Sequence, residues 1–118
     1  AARHADAWNA WGLPDHIAER SATLDRACDA AGRDPGEIAR SCQAVVLFTA
    51  DDAQGEQLMS AGARPIMAGT PGRLRDILAG YAEVGLDELI VPDASFGTGQ
   101  AKLDGLARFA EEVASDFR

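Results

Sequence analysis

Two histidines, two cysteines and the adjacent carboxylates Asp51-Asp52 are the side chains most able to do acid–base, nucleophilic or metal chemistry in this chain. His4 precedes a strand pattern and His16 falls in the first turn of a helix pattern. Neither has a carboxylate and nucleophile at the spacing of a catalytic triad, so both read as surface or helix residues. Cys28 and Cys42 show no Cys-x-x-Cys or zinc spacing. They read as small buried fillers in a reducing cytoplasm, with a disulfide as the weaker alternative. Asp51-Asp52 is too small a ligand set for a metal and is better explained as a helix cap, so no metal is expected. Gly97-Thr98-Gly99 precedes a helix and could receive a phosphate there, but a turn explains it more simply.

The elements that must hold these residues follow from periodicity. Residues 5–11 read as a strand carrying Trp8 and Trp11. Leu13-Pro14-Asp15 opens a helix whose stripe is Ile17, Ser21, Leu24, Cys28 and Ala31, and Gly32 closes it. A second strand covers 42–49. Its apolar centre, Ala44 to Phe48, predicts burial on both faces. A short helix is expected over 53–61, a connector over 62–68, and a helix from Gly69-Thr70-Pro71 with the stripe Leu74, Ile77, Leu78, Tyr81 and Val84. Gly85 ends that helix in a left-handed cap, and the third strand is Glu88 to Val91. A loop at 95–99 leads to a last helix with the stripe Leu103, Leu106, Ala110, Val113 and Phe117. The order β-α-β-α-α-β-α predicts an α/β fold of parallel βα units with right-handed crossovers.

A length of 118 residues gives one domain and one core. A net charge of −8 without basic clusters argues against nucleic acid and anionic membrane surfaces as partners. No apolar run is long enough to cross a bilayer, and Ala1 to Asp6 lacks the apolar centre of a signal peptide. The expected location is the cytoplasm.

Several linked segments carry a resemblance. They are Ala2-Arg3-His4-Ala5-Asp6-Ala7-Trp8-Asn9, Ala31-Gly32-Arg33-Asp34-Pro35, Gly69-Thr70-Pro71, and Val84-Gly85-Leu86-Asp87-Glu88-Leu89-Ile90-Val91-Pro92. The tail Phe109-Ala110-Glu111-Glu112-Val113, with Phe117-Arg118, completes the set. Together they resemble the luciferase-like monooxygenase family, flavin- or coenzyme F-420-dependent oxidoreductases. The chain departs from that pattern at Ala7 (usually Gly), Leu13 (usually Thr) and Gly72 (usually acidic). The last two weaken helix starts by roughly 1 kcal/mol.

The resemblance implies a C-terminal portion, about three βα units over 1–118, of a TIM (β/α)8 barrel, a fold that needs eight strands and typically ~250 residues. It also implies F-420 or FMN in the complete enzyme, hydride transfer to or from a small organic substrate, and little activity of this chain alone. The family's glycine-rich phosphate loop would precede Ala1. Barrel enzymes place function at strand C-termini, here Trp8, Asn9, Trp11, Thr49, Pro92 and Asp93. Trp8, Asn9 and Asp93 are the candidate cofactor contacts. Trp8 would wall the pocket, with packing the preferred competing role, and Asn9 would bond a phosphate or ribityl oxygen. No catalytic residue is assigned. The alternative function is a non-catalytic half-barrel that self-associates as an assembly or binding module. A small open nucleotide-binding domain is disfavoured, because Gly-x-Gly-x-x-Gly is missing. Open strand edges predict a homo-oligomer, with a two-fold dimer the simplest form.

Overall fold

A computed structural model describes residues 1–62 and 64–117. Ala63, in the expected connector, and Arg118, in the matched tail, lie outside the described residues. The elements are β1 (Ala7–Trp11), α1 (Pro14–Ala31), β2 (Ala39–Gln43), β3 (Val45–Phe48), α2 (Asp52–Ala61), β4 (Ile66–Gly69), α3 (Pro71–Glu83), β5 (Glu88–Ile90) and α4 (Gly99–Glu112). Short 3-10 turns occupy Pro35–Glu37, Asp93–Phe96 and Ser115–Phe117.

Local chemistry accounts for the helices. In α1, Ile17, Ser21, Leu24 and Cys28 are buried along the expected stripe. Gly32 takes φ 70° and donates to the Asp29 carbonyl, ending the helix. Leu13 stands at the N-cap and makes no side-chain cap, as a residue without a hydroxyl must. Asp51 caps α2 by accepting from the Gln54 amide at 2.8 Å, so the capping role expected of Asp51-Asp52 is met. In α3, Thr70 caps Arg73, and Leu74, Ile77, Leu78 and Tyr81 are buried. Gly85 takes φ 76° just beyond it.

All strand pairings among the described residues are parallel, as expected, but there are five strands rather than three. The stretch expected as one strand over 42–49 divides at Ala44. β2 lies between β1 and β5 in one sheet, while β3 pairs with β4 in another. β4 overlaps the expected connector and runs one residue past it, to Gly69. Its Ile66-Met67-Ala68-Gly69 has no alternation and is poor in β-branched residues, yet Met67 and Ala68 are fully buried. Consecutive βα units of a barrel would pair β4 with β5; here β5 pairs with β2, Cys42 opposite Leu89.

The backbone amides fix the layout. Ala39 donates to Asp6 of the β1 side and Val45 to Pro65 of the β4 side. Ala44 donates to Ile90, and Val46 to the Ser95 hydroxyl. Odd residues of the β2–β3 run therefore face one edge and even residues the other. β1 and β4 sit end to end along the first edge, with β5 and its following turn on the second. The side chains alternate too: Cys42, Ala44 and Val46 are at 0% exposure, whereas Val45 and Leu47 are half-buried. The expectation of full cover on both faces is corrected: one face has the core and the other is only partly covered.

That core gathers Ile17, Cys42, Val46, Met67, Leu74, Tyr81, Phe96 and Val113, with Leu24, Cys28 and Ile38 in a smaller cluster. The radius of gyration is 15.5 Å, above the roughly 13.5 Å of a compact domain of this length. The final helix shows the consequence. Of its expected stripe only Val113 is buried, while Leu103 is 60% exposed. Phe117 has left the α-helix for a 3-10 turn.

Candidate functional site

Strand C-terminal ends lie at two levels. β1 and β5 both stop level with Gln43, while β3 and β4 run on to Phe48 and Gly69. Five residues at ~3.3 Å each separate the levels by about 17 Å. Trp8, Asn9 and Asp93 thus belong to the first level, on β1 and just beyond β5, whereas Thr49 stands at the second.

Asn9 lies opposite Ser41, two residues short of the end of β1, and its amide donates to the Ser41 hydroxyl at 2.9 Å. Trp8, its neighbour, is half-buried and packs against both core clusters, which is the packing role. It also edges a groove of about 590 Å³ between the N-terminal residues and α1. Asp93 sits beyond β5 in a 3-10 turn and accepts from Lys102 Nζ at 2.8 Å. That hydrogen bond, with the lysine's charge, holds its carboxyl below the usual range. Trp8 lines that groove, and neither Asn9 nor Asp93 borders it. Of the other strand-end positions, the Thr49 hydroxyl donates to the Asp51 carbonyl at 2.7 Å, within the start of α2. Pro92 precedes the turn that carries Asp93. Gly97 and Gly99 take φ 81° and 60°, the turn geometry that explains that loop.

A groove of about 660 Å³ opens instead where β1 passes into α1. Trp11, 43% exposed, and Leu13 meet Met59 from α2 across it, and His16 and Arg64 supply polar rims. The volume suits a small molecule. Gly12 forms its floor. A Cβ there would lie 3.1 Å from His16 Cβ and 3.2 Å from its Cδ2, so the imidazole rests directly over the glycine. Sequence reasoning set His16 aside as a surface residue. It is exposed, yet it lines both grooves. The available signal was its place four residues beyond the small residue Gly12, on the first turn of α1.

Beneath the floor the Gly12 carbonyl accepts two buried donors, Tyr81 Oη at 2.6 Å and Cys42 Sγ at 3.1 Å. Burial pushes the pKa of both the Cys42 thiol and the Tyr81 phenol up. Both groups therefore stay protonated and hold the backbone under the groove in place. Both cysteines are buried free thiols, as expected of fillers. No cluster of three or more metal-ligating side chains occurs among the described residues. Nor is any described helix long and apolar enough to cross a membrane. The groove has the means to bind and orient a molecule; its described lining residues include no serine, threonine or cysteine.

No protein-family model matches the sequence, and no curated protein matches it. Solved structures do. A coenzyme F-420-dependent tetrahydromethanopterin reductase from Methanopyrus kandleri matches with a TM-score of 0.66 and 13% identity, over 100% of this chain and 47% of the reductase. A long-chain alkane monooxygenase matches with a TM-score of 0.63 and 12% identity, over 91% of this chain and 36% of the enzyme. Both are luciferase-like monooxygenase family members. The fold is luciferase-like. At these identities the likeness is one of fold, and the chain spans about half of the reductase's length and about a third of the monooxygenase's. The luciferase-like fold is thus present here as part of a barrel.

Proposed function

We propose that residues 1–118 form one partial-barrel domain, the C-terminal portion of a luciferase-like oxidoreductase that works with F-420 or FMN when complete. The carrying observation is a fold likeness covering all of this chain and less than half of an F-420-dependent reductase. In such an enzyme the cofactor ring supplies hydride chemistry toward a small organic substrate, and the protein binds, orients and excludes water. Trp8, Asn9 and Asp93 are this chain's proposed contributions. Because they stand on separate parts of the sheet, they would touch different parts of one extended cofactor. The remaining contacts come from outside these residues, so this chain alone has little or no activity. Its proposed location is the cytoplasm.

Fluorescence titration tests the reading. F-420 and FMN added to the 118-residue chain should give no saturable binding at micromolar concentrations; saturation there would overturn the partial-site reading. In a longer protein containing the rest of the barrel, Trp8→Ala, Asn9→Ala and Asp93→Ala should each weaken cofactor binding. Unchanged affinity in all three would remove their assignment. A second reading, a non-catalytic self-associating module, is favoured by the exposed apolar residues Trp11, Leu103 and Leu106.

A further inference from the structure

The sheet of β1, β2 and β5 has one face on the core. Ala10, Cys42 and Leu89 share a row of the register there and belong to the main cluster. Arg40, opposite Trp8, reaches Asp25 of α1 on the same side. Residues paired in register point to one face, and successive residues along a strand to opposite faces. The other face therefore carries Asn9, Ser41 and Glu88 in one row across the three strands, with Trp11, Gln43 and Ile90 in the next. Helices ring the outside of a barrel, so this second face is its interior. Barrel interiors are filled mainly by Val, Ile and Leu, and parallel strands covered on both faces read as apolar runs. This row departs from both rules. It presents an amide, a hydroxyl and a carboxylate, two residues short of the strand C-terminal ends where barrels place their sites.

Asn9 donates to Ser41 Oγ at 2.9 Å, and the Ser41 hydroxyl reaches only the Trp8 carbonyl, at 3.4 Å. The Asn9 amide oxygen, the Gln43 side-chain amide and the Glu88 carboxylate have no protein partner among the described residues. Inside a barrel each needs one, because burying a polar group without a hydrogen bond is costly, and a carboxylate most of all. No lysine or arginine stands on this face of the three strands, so the carboxylate repels an anion. From this geometry we infer that Asn9, Ser41 and Glu88, extended by Gln43, bind an uncharged, hydroxyl-bearing chain laid across the strands inside the complete barrel. Hydroxyl groups suit the row because each can donate, as Glu88 requires, and also accept, as the amides require. Strands ~4.8 Å apart give the row a span of roughly 10 Å, the reach of a chain and not of a single hydroxyl. Of the two partners expected of Asn9, phosphate and ribityl, the row selects the ribityl. The inference rests on the proposed partial-barrel reading. The chain has two possible sources, the cofactor's ribityl or a polyol substrate, and the experiment below separates them.

The protein to use is the longer one that contains the rest of the barrel, as wild type, Ser41→Ala and Glu88→Gln. FMN and F-420, each beside its ribityl form lacking phosphate, are titrated by fluorescence, and ribitol is titrated by calorimetry into the cofactor-loaded protein. If the row holds the cofactor, both variants weaken the phosphorylated and unphosphorylated forms alike, each by at least about tenfold, and ribitol does not bind the loaded protein. If it holds a substrate, cofactor affinity is unchanged and ribitol binds loaded wild type but not Glu88→Gln. Either result supports the row. Glu88→Gln that tightens only the phosphorylated form puts the phosphate there and overturns the inference. So do variants that change neither cofactor affinity nor ribitol binding. A wild type that binds neither cofactor fails the proposed function instead, and ribitol titrated into the empty protein then decides the row by the same comparison of variants. Glu88 is exposed in the 118-residue chain, so Glu88→Gln should leave that chain's melting temperature unchanged, which separates lost binding from lost folding.

Discussion

Replacing Gly55 by alanine should destabilise the protein, although alanine is the better helix former. Gly55 is buried in the second turn of α2, where that helix lies on β4. A Cβ there would stand 2.5 Å from the Ala68 carbonyl oxygen and 2.8 Å from both the Ala68 carbonyl carbon and Gly69 Cα. These are backbone atoms of a strand held in register by β3, so the neighbours cannot simply rotate away. Relief requires α2 to lift by most of an ångström, which forfeits a quarter to a half of each dispersion contact it breaks. Overpacking of this kind costs about 3 kcal/mol, against about 1 kcal/mol gained in helix propensity. The net loss is about 2 kcal/mol, a drop of roughly 1 M in the urea midpoint. Gly72 is the internal control. It lies in the first turn of α3, and its nearest neighbour to an added Cβ is Thr70 Oγ1 at 3.9 Å. Gly72→Ala should therefore stabilise by about 0.5–1 kcal/mol. Urea melts followed by circular dichroism read both. If Gly55→Ala matches or exceeds wild-type stability, α2 does not approach β4 this closely and the argument fails.

Ser21 is buried in α1, and its hydroxyl has no hydrogen-bond partner among the described residues; Ser21→Ala should raise stability by about 1 kcal/mol in the same melts. Tyr81→Phe removes the bond to the Gly12 carbonyl but leaves Cys42 on it, and should cost about 1–2 kcal/mol; no loss would mean that Cys42 alone satisfies that carbonyl. Stability should also fall at alkaline pH. Cys42 and Tyr81 have folded-state pKa values raised above the ordinary 9.0 and 10.0. Below pH about 9 both are protonated in folded and unfolded chains alike and contribute no pH dependence. Above it the unfolded chain releases protons that the folded chain keeps, and the melting temperature drops. Tyr81→Phe should make that drop shallower, and an equal slope in wild type and variant would refute the tyrosine's part.

The helices were legible from sequence because their signals are local. Pro14, Gly32, Asp51, Thr70 and Gly85 act within a turn of where they stand, and the stripe from Ile17 to Cys28 needs only a period of 3.6. Parallel pairing was legible for a similar reason, since a helix between each recognised pair of strands allows little else. Tertiary structure decided the rest. Ile66 to Gly69 becomes a strand because β3 offers it a partner and α2 covers it through Gly55, not because of its own propensity. The run from Ala39 to Phe48 exchanges β1 for β4 along one edge at Ala44, a change no periodicity announces. Apolar residues at 103 and 106 marked the face of α4, but only packing could show that the face stays open. The site divides along the same line. Trp8 and Asn9 were proposed from their place on a strand, whereas the groove over Gly12 required α1, α2 and the buried pair Tyr81 and Cys42 to meet from distant parts of the chain. Side-chain type and spacing fix what each segment prefers; which segments share an edge depends on contacts between residues far apart in sequence.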